Sequence, residues 1–170
     1  MSPRPATRAE PRLPAHAPQE APSISRLLAL ARGSLLSRMD AELERYGVNA
    51  MQFGVLKNLA EGAGQTAADL CRVMSYDTGA MTRIVDQLER RGLVQRERCR
   101  EDRRVVFLRV SPQGRAQLPR LRTVGERVLE AHLAGFTPAE IDAFKGYLGR
   151  MIDNGQAQAD NHQLPAGGKS

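Results

Sequence analysis

The segment "DTGAMTRIVDQLERRGLVQRERCREDRRVVFLRVSPQG", residues 77–114, changes its periodicity twice. Its first part, up to Gly92, repeats apolar side chains every three or four positions, which predicts a helix with one buried stripe. Asp77 is placed to cap this helix and Gly92 to end it. The stripe contains Ala80, Met81, Ile84, Val85 and Leu88.

The opposite face of this predicted helix carries small and polar side chains in place of the Glu and Lys pairs typical of a solvated helix. These residues are Thr78, Gly79, Thr82, Arg83, Asp86, Gln87 and Arg90. Such a helix fits the major groove of B-DNA, where Thr meets a thymine methyl group or a phosphate and Arg or Gln binds purine edges. An ordinary exposed face is the other interpretation of the same pattern.

The stretch from 93 to 110 changes to the alternation and residue types of strands, with Val106, Leu108 and Val110 on one face, and predicts a two-stranded hairpin. Five consecutive charged residues, 100–104, fall at its tip. Such a tip is usually a solvated turn. Because it directly follows the candidate groove-binding helix, we expect it to lie beside the next groove, where an Arg meets the negative potential of a narrow minor groove.

Helices are predicted on both sides of this unit. Capping signals mark the starts of four of them: Asn49 with Gln52, Thr66 with Asp69, Ser111 before Pro112, and Thr137 with Glu140. A longer helix begins near Ile24 and ends near Gly47. Pro119 is expected to kink or restart the helix that contains it. The predicted order is four helices, a hairpin and two helices.

The chain carries a formal net charge of +6 and a sequence pI of about 10.0, which favours an anionic partner, either nucleic acid or an acidic membrane face. No apolar run is long enough to span a bilayer and no secretory signal is recognisable. We therefore expect a cytoplasmic protein that has no membrane as a partner. With no Trp, three Tyr and four Phe, stacking on single strands is disfavoured. Duplex DNA is the remaining candidate among nucleic-acid partners.

Several classes of chemistry are not indicated. Cys71, Cys99 and the three histidines, His16, His132 and His162, lack metal-ligand spacing, so no metal or other cofactor is expected. No nucleophile, base and acid group together at a recognisable spacing, and no glycine-rich phosphate loop is present. The sequence therefore predicts that the protein is not an enzyme.

The segment "AMTRIVDQLERRGLVQRERCREDRRVVFLRVSPQG" resembles the core signature of the MarR family of bacterial transcription regulators. It contains the Thr-Arg-x-x-Asp-x-Leu-Glu-x-x-Gly-Leu-Val helix, the Asp-x-Arg of the wing and a helix start similar to Leu-Thr-x-x-Gly. The stretch "GVNAMQFGVLKNLAE" resembles the second helix of the family. The resemblance covers roughly residues 23 to 153.

The resemblance implies a mainly α-helical winged helix-turn-helix with a small β-hairpin wing, in a homodimer whose interface is built from the terminal helices. The expected lobe for DNA binding is 48–110, and the expected dimerisation helices are 23–47 and 111–153. Disordered segments are expected at 1–22, a basic arm with six of the ten prolines, and at 154–170. Apolar seams on the terminal helices independently favour two-fold pairing.

Site roles follow from the resemblance and from the face of the helix. We expect DNA contacts from Thr78, Gly79, Thr82, Arg83, Gln87, Arg103 and Arg104. Arg104 is similar in position to the wing-tip arginine, and Asp102 is expected to hold its guanidinium. Asp86 is expected to hold the wing to the helix. Family members commonly repress genes and are released by phenolic or carboxylate ligands, for which Arg32 and Tyr46 are the candidates.

The sequence thus predicts a homodimeric regulator, a repressor that binds a pseudo-palindromic operator in double-stranded DNA and responds to a small aromatic acid or phenol. The alternative is a winged-helix module that binds ligands or proteins and does not bind DNA. The basic charge and the intact Thr-Arg and Asp-x-Arg elements favour the regulator.

Overall fold

A computed structural model describes residues 22–99, 101–102 and 104–163, and within these ranges the chain forms six α-helices and one antiparallel pair of strands. The elements are α1 (Ile24–Leu43), α2 (Ala50–Glu61), α3 (Ala67–Met74), α4 (Thr78–Arg90), β1 (Val94–Arg98), β2 (Val106–Val110), α5 (Pro112–His132) and α6 (Pro138–Gln163). A 3₁₀ turn, Glu44–Tyr46, extends α1. The predicted mainly helical fold with a hairpin is confirmed.

The helix starts lie where the capping signals predict them. Asn49 and Gln52 form a reciprocal capping box at α2, and Thr66 and Asp69 form another at α3. The Asp77 carboxylate accepts the Ala80 N–H, 2.8 Å away, at α4. Each side chain satisfies a main-chain donor that the first turn of a helix leaves without a partner.

One core unites the helix-turn-helix, the hairpin and the first half of α5. The α4 stripe buries Met81, Ile84, Val85 and Leu88, as predicted. They pack in a cluster with Leu43 of α1, Val55 and Leu56 of α2, Leu70 of α3, Leu108 and Val110 of β2, and Leu118 and Leu121 of α5. Burial of these side chains fixes α4 beneath α2 and leaves its opposite face open.

The corner between β2 and α5 is tightly closed. The Ser111 hydroxyl accepts the Gly114 N–H, 3.0 Å away, and donates to the Gly92 carbonyl, 2.5 Å away. A Cβ on Gly114 would lie 2.4 Å from the Leu93 carbonyl oxygen. The glycine of this helix start is therefore required by close packing, because any side chain would displace the main chain of residue 93.

Of the kink or restart expected at Pro119, the restart does not occur, and part of the tail expected to be disordered is helical. α5 continues through Pro119 without restarting, because Leu118, Leu121 and Val124 are buried around the proline. α6 runs to Gln163, past the expected start of a disordered tail at 154, because Ala and Gln favour helix even where no core is available. The remainder of that tail, 164–170, and the expected arm apart from Pro22 lie outside the described residues.

The two terminal helices expose apolar surface. On α1 the exposed residues are Ile24, Leu27 and Leu30, and on α6 they are Phe144, Tyr147, Met151 and Ile152. No described residue of α6 belongs to the buried core. Several large apolar side chains exposed along one helix are unusual on a monomer in water.

Candidate nucleic-acid interface

The outward face of α4 is open, as predicted. Thr78, Gly79, Thr82 and Arg83 are all exposed along its first two turns. The Thr82 hydroxyl donates to the Thr78 carbonyl, 2.9 Å away, which leaves its oxygen lone pairs and its methyl group toward solvent. Small side chains around one arginine let a phosphate backbone or a groove approach the helix closely.

Gln87 lies on the flank of α4 that faces α2. Its side-chain oxygen accepts from the Gln52 amide nitrogen, 2.9 Å away. The direction of this bond is fixed, because the Gln52 oxygen already accepts the Asn49 N–H at 3.1 Å. The Gln87 amide NH₂ and the second lone pair of its oxygen are left for DNA, while the bond from Gln52 limits the orientation of the amide.

The hairpin is joined to α4 through one arginine. Arg96 of β1 donates to the Asp86 carboxylate, 2.6 Å away, and also to Glu89 one turn along the helix. The hydrogen bond to Asp86 is the main cause that raises the pKa of Arg96, and the charges of Glu89 and Asp86 raise it further against the opposing effect of burial. The guanidinium thus stays charged and bridges two carboxylates.

This bridge gives Asp86 the structural contact expected of it and adds two residues that the sequence analysis missed. Arg96 shares a strand face with the buried Val94. A charged residue that shares a strand face with a buried apolar residue is a signal for a partner. Asp86 and Glu89 stand three residues apart on α4, the spacing that presents both carboxylates to one side.

At the tip of the hairpin, Asp102 shapes the turn. Its carboxylate accepts the main-chain N–H of Arg104, 2.9 Å away, and its carbonyl accepts the Val105 N–H at 3.0 Å. The expected contact of this carboxylate with the Arg104 guanidinium is replaced by the contact with the main chain. Arg104 itself is exposed. The predicted contact residue Arg103 lies outside the described residues, as does Arg100.

The two candidate ligand residues are not brought together. Arg32 is exposed on α1, fourteen residues before Tyr46, which corresponds to about 20 Å along a helix. Tyr46 is half-buried against the core, with the Arg45 guanidinium carbon 5.0 Å from its ring centroid. A single small ligand does not reach both residues.

A cavity that the sequence analysis did not predict lies between α1, α2 and α5. It has a volume of about 390 Å³, and its apolar wall consists of Leu35, Met39, Phe53 and Leu129. Its polar rim carries Lys57, Glu61, Arg122 and Glu126. Arg122 pairs with Glu61 at 3.1 Å, whereas Lys57 forms no ion pair with any residue that the structure describes.

Neither a metal centre nor a membrane span is found in the described ranges. No cluster of three or more His, Cys, Asp or Glu side chains there is arranged to hold a metal ion. None of the helices described has both the length and the apolar content needed to cross a bilayer.

Comparison with known proteins relates this geometry to a known family. A model of the MarR family matches residues 46–105. The chain is 30% identical over 108 residues to the uncharacterized HTH-type transcriptional regulator YdgJ of Bacillus subtilis, which covers 64% of this chain and 66% of that relative, just under two thirds. The chain is similar to the MarR family of transcriptional regulators across its helix-turn-helix and hairpin. The relatives are regulators of transcription and not enzymes, which agrees with the prediction.

Solved MarR-family structures share the fold. A mutant MarR from E. coli complexed with operator DNA has a TM-score of 0.70 and 25% identity, over 76% of this chain and 93% of that chain. Bordetella bronchiseptica BpsR, whose DNA binding is regulated by 6-hydroxynicotinic acid, has a TM-score of 0.72 and 23% identity, over 81% of this chain and 98% of that chain. The chain thus has a winged helix-turn-helix fold like that of these solved structures.

Proposed function

We propose that this protein is a homodimeric repressor that binds a pseudo-palindromic operator and is released by a small aromatic acid or phenol. The observation that carries the DNA-binding part is the Arg96 bridge, which holds the hairpin at a fixed angle to the open face of α4. Helix and hairpin then meet the duplex as one surface, the helix in the major groove and the hairpin tip at the neighbouring minor groove.

The contact residues divide by groove. We assign Thr78, Gly79, Thr82 and Arg83 to the major groove or its flanking phosphates. Arg103 and Arg104 are assigned to the wing contact. Gln87 is kept as a contact, with its amide orientation limited by the bond from Gln52, to a phosphate or to a base edge. Asp86 and Asp102 support the helix–hairpin angle and the turn at the tip.

Dimerisation is supported by the apolar faces of the terminal helices. Tyr147 is 62% exposed and Ile152 is 58% exposed on α6, and Ile24 is 72% exposed on α1. A second copy of the chain is the occupant proposed for this surface, because a two-fold interface covers the same face on both protomers at once. Two recognition helices about one helical turn apart, roughly 10 base pairs, then read two half-sites.

Effector binding is supported by the cavity between α1, α2 and α5. Its apolar wall offers the Phe53 ring for stacking with an aromatic ring. The Lys57 ammonium at the rim, without an ion pair among the described residues, is available for a ligand carboxylate. BpsR provides a precedent, since a hydroxylated aromatic acid regulates its DNA binding. The cavity replaces the Arg32 and Tyr46 pair as the proposed effector site.

DNA binding is tested by fluorescence anisotropy with a duplex taken from the promoter next to the gene of this protein. We expect Arg83→Ala and Arg104→Ala to weaken binding, with Arg83→Ala costing roughly 1–3 kcal/mol if this residue contacts a base. Arg32→Ala is the matched control, because it removes the same charge from an exposed site on α1. Equal losses in all three variants, or a wild-type affinity that does not fall with salt, would favour the module without DNA binding.

Dimerisation and effector binding need separate measurements. Sedimentation should show a dimer for wild type and a monomer for Tyr147→Glu. A monomeric mass for wild type at every concentration would contradict the homodimer. 4-Hydroxybenzoate should raise the melting temperature and lower operator affinity, and Lys57→Met should reduce both effects. A ligand response that is the same in Lys57→Met would remove the cavity from the proposal.

A further inference from the structure

A second cavity lies between the end of α1 and the first half of α5. It has a volume of about 470 Å³ and is lined by Arg45, Tyr46, Gln113, Ala116, Gln117 and Arg120. It shares no lining residue with the cavity that contains Phe53. Two guanidinium groups, a phenol and two amides line it, and none of its lining residues is acidic.

The charges along the α1–α5 contact are unbalanced on this side. One carboxylate, Glu42, accepts three arginines: Arg127 at 2.8 Å, Arg38 at 3.0 Å and Arg45 at 3.8 Å. Two turns before Arg127 on α5, Arg120 forms no ion pair with any described residue. At the cavity, Arg45 thus shares the Glu42 carboxylate with two other arginines, at the longest of the three distances, and Arg120 has no carboxylate partner among the described residues.

The neutral groups of the cavity favour an oxygen-rich anion. The stacking of Arg45 on Tyr46 limits the orientations of its guanidinium, which reduces the entropy lost when it binds an oxyanion. The Gln117 side-chain oxygen is buried without a hydrogen-bond partner. An oxyanion offers no donor to this oxygen, so the group that Gln117 contributes to the site is its amide NH₂.

We propose that this cavity binds a small oxyanion with two or more negative charges, either a polycarboxylate or a phosphate group. The ligand supplies the carboxylate or phosphate that the α1–α5 contact lacks, with Arg45 and Arg120 as its principal partners. This site involves neither α4 nor the cavity lined by Phe53, called the aromatic cavity below, so it stands independently of the proposed function. Its occupancy would brace the last turn of α1 against α5.

The site is tested by isothermal titration of the full chain with citrate and with inorganic phosphate, at constant ionic strength set by chloride. We expect saturable binding of at least one probe, at least tenfold weaker in Arg120→Gln and in Arg45→Gln. Arg115→Gln is the matched control, because Arg115 is exposed on the same helix but does not line the cavity. Citrate binding alone would identify a carboxylate ligand, and phosphate binding alone a phosphoryl ligand.

Three results would overturn the proposal. The first is the absence of binding by both probes at millimolar concentration, as when a partner subunit fills the cavity. The second is an equal loss of affinity in Arg115→Gln and Arg120→Gln, which would indicate general attraction to a basic surface. The third is unchanged affinity in both cavity variants. Circular dichroism melting shows whether each variant is folded. Because Arg45, Arg115 and Arg120 are all exposed, we do not expect loss of folding to explain a loss of affinity.

Discussion

The hairpin contributes to the core of the fold and, in the proposed function, places its tip on DNA. Replacing Arg96 tests the second role separately from the first. In Arg96→Ala, Asp86 and Glu89 lose their shared cation. The core beneath the hairpin is unchanged, because Val94, Leu108 and Val110 remain buried. We therefore expect the protein to stay folded with a hairpin that no longer has a fixed angle to α4.

The size of the effect follows from the exposure of the groups. The Arg96 side chain is 32% exposed, and those of Asp86 and Glu89 are 45% and 39% exposed, so solvent screens both ion pairs. Exposed pairs contribute about 0.2–1 kcal/mol each, so we expect the loss of both pairs to lower the free energy of unfolding by about 0.4–2 kcal/mol. If DNA must then restore the angle of the wing, operator affinity falls about tenfold per subunit, since 1.4 kcal/mol is a factor of ten.

Urea unfolding and operator anisotropy measure the two effects, and a second variant separates geometry from charge. The double variant Asp86→Asn with Glu89→Gln also breaks the bridge but makes the protein more positive, which by itself strengthens attraction to DNA. A fall in affinity in both variants identifies the angle of the wing as the cause. Full operator affinity in the double variant would refute the role given to the bridge.

Three further changes test the fold. Gly114→Ala should lower the free energy of unfolding by about 2 kcal/mol, measured in urea, because its Cβ meets the Leu93 carbonyl; an unchanged value would contradict the close contact. Ser75→Gly should raise that free energy by about 0.5 kcal/mol, because Ser75 has φ +48°, a conformation glycine adopts more easily. The pKa of Asp69 is lowered, chiefly by the Thr66 hydroxyl, so its stabilising effect is present above the ordinary pKa of about 4 and is lost as pH falls through the lower folded value. Between pH 5 and lower pH, the free energy of unfolding should therefore decrease less in Thr66→Ala than in wild type.

Local signals in the sequence were sufficient for the elements and for the faces of α4. Asn49, Thr66 and Asp77 each cap the helix they were expected to cap, because capping depends on side chains within three residues. The buried stripe of α4 follows from helical spacing alone. Pro119 misled the prediction because the propensity of one residue was outweighed by burial of its neighbours, which is a property of the tertiary structure.

The parts of the site that the sequence did not predict depend on contacts between distant segments. Arg96 meets Asp86 only once the strand folds back on the helix, and the wall of the aromatic cavity joins Leu35 to Phe53 and Leu129 across three helices. Arg32 and Tyr46 were chosen by residue type, without a distance. Their separation along α1 shows why chemistry without position does not define a binding site.

The corner at Ser111 gives the DNA-binding lobe a single orientation relative to α5. The Ser111 hydroxyl joins the end of α4 at Gly92 to the first turn of α5 at Gly114, and the Leu93 carbonyl is packed against that turn. Because both contacts lack room to adjust, α4 and the start of α5 move as one body. The aromatic cavity reaches α5 at Arg122, eight residues or about 12 Å further along the same helix than Gly114. For the proposed effector site, we therefore expect a bound ligand to act on DNA binding by changing the tilt of α5, which carries the recognition surface with it.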